Sequence, residues 1–183
     1  MKSSAIFRFF KHLVSHRWQV KRYFSDEALQ NIENAIEASE KKHEGELSFV
    51  VEAGLHPYEI MFKKTPRKRA IELFGRLHIW DTEYNNGVLI YLLLADRDVE
   101  IVVDRGIDKH VGHANWEAIC HEMEVMFRRG EFEAGVLHGI VRIGAVLEKY
   151  FPLTDAKGIE DKDTKNKSAK RKCNEISNKP HIL

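Results

Sequence analysis

Apolar residues recur along the chain at two spacings, one typical of strands and the other of helices. The segment GELSFVVEAG, from Gly45 to Gly54, is short, rich in β-branched residues and bounded by glycine, which favours a strand. The run GVLIYLLLA, from Gly87 to Ala95, lacks polar alternation, as in a central strand buried on both faces. The next segment, VEIVVD, alternates at its start and predicts a strand with one more exposed face.

Helical periodicity separates these strands and follows them. Ser25 predicts the start of a helix that ends at Gly45, and Pro66 suits the first turn of another. We expect HPYEIMFKKTP to be a loop, and two more helices after residue 113, separated at Gly130. The helix between the first two strands implies a parallel crossover, whereas the tight ADRDV turn implies an antiparallel hairpin. The predicted fold is an α/β/α sandwich, with a small mixed sheet flanked by helices.

The two ends of the chain differ from its centre. Residues 1–24 form a predicted basic amphipathic helix, residues 25–152 the α/β domain, and residues 153–183 a charged, disordered tail. The apolar stripe of the N-terminal helix either docks on the domain or binds the surface of a membrane. Its members recur at helical spacing and are Ile6, Phe7, Phe10, Leu13, Val14 and Trp18.

Charge is distributed unevenly along the sequence. Residues 1–22 carry six basic side chains and no acidic one, while residues 23–152 have a net charge of −8. Such an acidic body disfavours nucleic acid and suits a hard cation or the basic N-terminal segment. The longest uncharged apolar run is nine residues, well short of the roughly 20 that a spanning helix needs. With no transmembrane segment and no secretory signal, we expect a cytoplasmic protein.

Two polar clusters flank the apolar central strand and are the candidate sites. At its carboxyl end lie Asp96, Arg97 and Asp98, where paired carboxylates could act in catalysis and the guanidinium could bind phosphate. Ligands of open α/β sheets usually bind at this end of the strands. The alternative is a turn closed by a surface ion pair.

The second cluster gathers at the other end of the hairpin. Its carboxylate and amide oxygens are the ligands that a hard cation such as Ca²⁺ or Mg²⁺ prefers. The alternative is turn chemistry, with left-handed backbone angles in the Asn85-Asn86-Gly87 segment and solvated acids around it. The candidate metal ligands are Asp81, Asn85, Asn86, Asp104 and Asp108.

The segments GELSFVVEA, NNGVLIYLLLADRDVEIVVDRGID and FRRGEFEAGVLHGI, in this order and at these distances, resemble the TPM domain family over roughly residues 25–151. The resemblance implies an α/β/α sandwich. Members of that family have been connected with acid phosphatase activity, calcium binding, photosystem repair and modulation of a membrane receptor. The resemblance also implies that the acid-rich loops contact a cation or a phosphate.

Two functions from different classes are therefore open. The first is a domain that binds a divalent cation and hydrolyses phosphate monoesters slowly. The second is a non-catalytic accessory module that docks on a protein partner or a membrane surface through the basic N-terminal helix.

Overall fold

A four-stranded sheet forms the centre of the molecule. The computed structural model describes residues 5–15, 17–153 and 174–183. Strand β1 runs parallel to β2 and to β4, and β2 pairs antiparallel with β3, which gives the order β3-β2-β1-β4. The strands are β1 (Glu46–Glu52), β2 (Gly87–Leu93), β3 (Asp98–Val103) and β4 (His181–Ile182). The mixed sheet predicted from the sequence is confirmed.

Helices cover both faces of this sheet, which confirms the α/β/α sandwich. One layer consists of α2 (Arg17–Tyr23), α3 (Asp26–Glu40), α6 (Arg105–Val111), α7 (His113–Arg128) and α8 (Phe132–Tyr150). The other consists of α1 (Ala5–Leu13), α4 (Pro57–Met61) and α5 (Pro66–Arg76). No helix in the described part of the chain is both long enough and apolar enough to cross a bilayer.

The continuous apolar character of β1 and β2 follows from this double covering. Phe49 and Ile90 face the layer that contains α8, whereas their neighbours Val50 and Leu89 face the layer that contains α5. Because successive side chains of a strand point to opposite faces, both sets must be apolar. Every residue of the two strands is buried.

Local signals place two of the predicted helix starts. The Ser25 side chain accepts a hydrogen bond from the Ala28 N–H at 3.1 Å and caps α3. Pro66 occupies the first turn of α5, where its missing N–H is not needed. The predicted loop at residues 56–65 is wrong in part, because Pro57 starts the short helix α4. Five residues are too few for apolar periodicity to reveal a helix.

The orientation of α5 also differs from the prediction. Helical periodicity over residues 66–79 predicts an inner face of Ile71, Phe74, Leu77 and His78, with Leu73 at its edge. In the structure Ile71 and His78 are exposed, and Ala70 and Leu73 are buried instead. The helix ends at Arg76, and His78 has a left-handed φ of 55°. The predicted pattern includes residues beyond the end of the helix, so the predicted buried face is rotated relative to the observed one.

Both termini depart from the predicted boundaries. The N-terminal region contains two helices, α1 and α2, where one helix was expected over residues 1–24. At the other end, residues 154–173 of the predicted tail lie outside the described residues. Residues 174–183 are ordered against the domain, because β4 pairs with β1 and the Leu183 carbonyl accepts from the Ala53 N–H. Residues 181–183 thus pair with the edge of β1 that faces away from β2.

Candidate functional site

The carboxyl ends of β1 and β2, where a ligand was expected, are filled by the chain's own ion pairs. Glu52 is buried and accepts two hydrogen bonds from Arg69, at 3.0 and 2.7 Å, and one from the Tyr91 hydroxyl at 2.6 Å. Burial, with the Glu52 charge, raises the pKa of Tyr91. Lys64 pairs with the buried Glu59 at 2.7 Å beside them. This network leaves Glu52 no free oxygen for a ligand.

Helix α1 covers Asp96, the first candidate residue of the turn. Arg8 Nε donates to Asp96 Oδ2 at 2.9 Å, His12 Nε2 lies 3.1 Å from Oδ1, and Lys11 Nζ is 3.9 Å away. Burial opposes the charged form, but His12 and Arg8 outweigh it and hold the pKa of Asp96 below its ordinary value. Asp96 is therefore an anchor for α1 in this conformation.

His12 makes this contact specific. Its side chain is 3% exposed, and its Nδ1 accepts the Leu55 backbone N–H at 2.9 Å. An accepting Nδ1 carries no proton, so the proton of the neutral ring must be on Nε2, the atom that faces Asp96. One imidazole thus ties α1 to the loop after β1 and to the turn after β2.

As a result, the described part of the predicted apolar stripe does not dock on the domain, which was one of its two expected uses. The Arg8 and His12 side chains of α1 face the domain and Phe9 packs against the core, whereas the described residues of the stripe are exposed. Four described members of that stripe are 45% to 61% exposed, namely Phe10, Leu13, Val14 and Trp18. Neighbouring α4 adds Tyr58, Met61 and, just after its end, Phe62, which are 56% to 81% exposed. We call these seven residues the apolar face.

The three residues of the turn do not converge on one site. Arg97 is exposed, has a left-handed φ of 53°, and donates to the Arg128 carbonyl at 3.3 Å. Its guanidinium also lies over the Phe132 ring, 5.9 Å from the centroid. Asp96 faces α1, while Asp98 lies in a different cleft.

Asp98 lines a cleft of about 420 Å³ beside strand β3. Burial, with the charges of Glu100, Glu124 and Asp96, raises the pKa of Asp98 to about 7. Helix α7 supplies the opposite wall with Trp116, Cys120, His121 and Glu124. The sequence carries no signal that the polar side chains of α7 border Asp98, because the two segments meet only in the folded chain.

The second cluster is brought together only in part. Asn86 and Asp104 are buried on either side of Gly87, whose carbonyl accepts the Asp104 N–H at 2.9 Å. Asp104 Oδ1 accepts the Arg105 N–H at the start of α6, and Asn86 donates its amide to the Glu44 carbonyl. Within the described residues, Asn86 Oδ1 and Asp104 Oδ2 are buried and accept no hydrogen bond. Two buried oxygens are therefore left for a ligand.

The other three candidate ligands are exposed. Asn85 has a left-handed φ of 52°, as the turn hypothesis required, and its carbonyl packs on Gly106, where a Cβ would lie 2.5 Å from that oxygen. The two loops thus touch. Asp81 and Asp108 are in solvent. In the parts of the chain that are described, no three His, Cys, Asp or Glu side chains are grouped as a metal ion would need.

Comparison with known proteins gives a family and two similar structures. A family model described as TPM domain matches residues 20–146. The BA42 protein of the psychrophilic bacterium Bizionia argentinensis is similar in structure, with a TM-score of 0.69 and 26% identity over 86% of this chain and 94% of that one. The N-terminal domain of a protein from P. gingivalis has a TM-score of 0.56 and 21% identity, over 70% of this chain and 78% of that one, and supports the fold alone. No curated protein matches. Since the family model spans well over half of the sequence and the architecture agrees with it, the chain belongs to the TPM domain family.

Proposed function

We propose that this TPM domain is an accessory module that docks on an anionic membrane surface through α1, α2 and α4. The observation that carries the proposal is the orientation of α1, which meets the domain through Arg8 and His12 and leaves Phe10 and Leu13 exposed. Exposed apolar side chains on neighbouring helices are typical of surfaces that bind a partner or a membrane.

The composition of the apolar face favours lipid over a protein groove. It combines Trp, Tyr and Phe, which suit the boundary between headgroups and acyl chains, with Leu, Val and Met. Exposed cations lie along the same helices and just after α4, at Lys21, Arg22 and Lys63. Each basic residue near an anionic surface adds about 1 kcal/mol of attraction. The proposed surface is that of the cytoplasmic leaflet, in keeping with the location expected from the sequence.

Vesicle binding tests this proposal. The full chain is sedimented with vesicles of phosphatidylcholine alone and with vesicles in which about one third of the lipid is phosphatidylglycerol. The second set has a negative surface charge that should attract the basic residues. The double variant Met61→Glu, Phe62→Glu removes two side chains whose insertion is worth about 3–6 kcal/mol together, so binding should fall by at least about 100-fold. Both residues are exposed, so folding should be unaffected.

The matched control is Val141→Glu, since Val141 is 66% exposed on α8 and does not belong to the apolar face. This control should bind like the wild type. Failure of the wild type to bind anionic vesicles would refute membrane docking, as would equal binding by the wild type and the double variant. We would then expect the apolar face to bind a protein partner.

A second function, binding of Ca²⁺ or Mg²⁺, is supported by the two buried oxygens of Asn86 and Asp104 without hydrogen-bond donors. Exposed Asp81, Asn85 and Asp108 could complete the shell from the adjoining loops. Calorimetry with each cation should show binding that Asp104→Asn weakens at least tenfold, because the variant retains a capping oxygen but loses the charge. Equal binding by wild type and variant would exclude this site.

Phosphate-monoester hydrolysis at the Asp96 turn stays a prediction. It would require Asp96 to leave Arg8 and His12. A phosphatase assay on the wild type and Asp96→Asn decides it, since activity that survives the substitution rules out that carboxylate as the nucleophile.

A further inference from the structure

A cleft beside β3 lies apart from the residues of the apolar face. It lies between the edge strand, the start of α5 and one side of α7, and its volume is about 420 Å³. Strand β3 supplies Asp98 and Glu100, α5 supplies Arg67, and α7 supplies the remaining wall. The cleft is thus lined by rigid elements of the domain.

Acidic side chains outnumber basic ones in this cleft. Its carboxylates belong to Asp98, Glu100, Glu117 and Glu124, and Arg67 is the one permanent cation among the described residues that line it. Arg67 approaches Glu100 at 3.5 Å, His113 Nε2 lies 3.3 Å from Glu117, and Arg128 pairs with Glu124 at 3.2 Å from outside, which leaves Asp98 as the carboxylate without such a partner in the described chain. Among the described residues no ion pair reaches Asp98. The cleft therefore has an unmet preference for a cation and disfavours phosphate groups.

The same cleft offers main-chain and indole hydrogen bonds. Strand β3 is the last strand on its side of the sheet, so its outer edge pairs with no strand in the described chain. On that edge, the Ile101 carbonyl accepts from Arg67 at 2.6 Å. Trp116 lines the cleft, is 2% exposed, and its indole N–H donates to no acceptor within the described residues. A buried donor without an acceptor fits a ligand that carries a carbonyl oxygen.

Other uses of the cleft fit less well. Burial raises the pKa of the Cys120 thiol to about 12, so the neutral thiol is a poor nucleophile. The histidines and carboxylates are not grouped closely enough for a metal within the described parts of the molecule. What remains is a ligand with a positive charge and a polar main chain.

We propose that this cleft binds an extended peptide segment of a partner protein, with a lysine or arginine side chain placed between Asp98 and Glu124 and the main chain along the outer edge of β3. Edge-strand addition supplies affinity through main-chain hydrogen bonds, and the acidic wall supplies the preference for a basic side chain. Arg67 gives up its contact with the edge as the peptide enters. The vesicle-binding apolar face is not involved, so the two proposals can fail separately.

Fluorescence anisotropy with two labelled peptides tests the charge preference. One probe is a hexapeptide of alternating threonine and lysine, and the other has glutamate in place of lysine. The basic probe should bind at least tenfold more tightly. The double variant Asp98→Asn, Glu124→Gln should weaken its binding at least tenfold, whereas Glu37→Gln, Glu148→Gln removes the same charge from exposed sites and should change it less than twofold.

Two-dimensional NMR of the full chain locates the contact. The basic probe should shift the Trp116 indole N–H and the amides of residues 99–101, and should leave α3 unchanged. Equal loss of binding in both double variants would show that the overall negative charge of the protein, and not the cleft, attracts the basic probe. That result would overturn the proposal. Equal binding of the two probes, or an unmoved Trp116 signal at saturation, would also overturn it. So would the same shifts with Ca²⁺ alone, which would assign the cleft to a metal.

Discussion

Replacing Asp98 with asparagine should stabilise the fold at neutral and alkaline pH and should have little effect in acid. The carboxyl group is partly buried beside Glu100 and Glu124, and its pKa is raised from 3.8 to about 7. Between these two values the folded state binds more protons than the unfolded state, so stability contributed by this group falls as pH rises. Asparagine has the shape of the protonated acid and cannot ionise.

The size of the gain follows from the interval between the two pKa values. About three pH units at 1.36 kcal/mol per unit correspond to about 4 kcal/mol, which is an upper limit. Asp98 has intermediate exposure, and solvent screens part of the repulsion. We therefore expect about 2 kcal/mol above the folded-state pKa, and close to zero below the unfolded-state pKa.

Urea denaturation at constant ionic strength measures this effect on the wild type and Asp98→Asn, at several pH values from about 4 to 8.5. The difference in unfolding free energy should grow as pH rises through the interval and then level off. Glu148→Gln, which changes an exposed carboxylate on α8, should show no such growth. A difference for Asp98→Asn that is constant with pH would show that the carboxylate carries no burial penalty.

Three further predictions concern the scaffold. Arg69→Met leaves Glu52 buried without its cation and should lower the unfolding free energy by about 3–5 kcal/mol in urea titrations. Gly87→Ala should cost about 2 kcal/mol or more, because a Cβ there would clash with the Ile79 carbonyl oxygen. The control Gly75→Ala on α5 places its Cβ in open space and should gain about 0.5–1 kcal/mol in the same assay. Asp96→Asn should release α1 and speed its cleavage by trypsin. Because the pKa of Asp96 is lowered, its stabilisation is present above the unfolded-state pKa and is lost as pH falls through the folded value, so wild type and variant should converge in strong acid. Equal cleavage rates at pH 7 would contradict the anchoring role.

Much of the fold was accessible from local signals. The unbroken apolar run from Gly87 to Ala95 predicted a central strand, the ADRDV turn predicted the hairpin, and Ser25 and Pro66 marked helix starts. The family resemblance, carried by the same segments, is confirmed. These features depend on neighbours within a few residues, which a sequence displays directly.

The candidate sites were harder, because they depend on contacts between distant segments. The sequence marks Asp96 as a polar turn residue, but not that His12, 84 residues earlier, lies against it. It also gives Asp98 and Glu124 no evident relation, although they line one cleft. The far loops meet only because Gly106 permits the close approach of the Asn85 carbonyl.

By itself, the sequence determined three of the four strands and most of the helices, the mixed directions of those strands and the basic, amphipathic character of the N-terminal segment. Only the tertiary structure decided how that segment is used. Periodicity shows that a helix has two faces, but it does not show which one meets the domain. That choice depends on Asp96 and on the Leu55 N–H, whose charge and hydrogen bond draw the basic face of α1 inward and leave Phe10, Leu13 and Val14 in solvent.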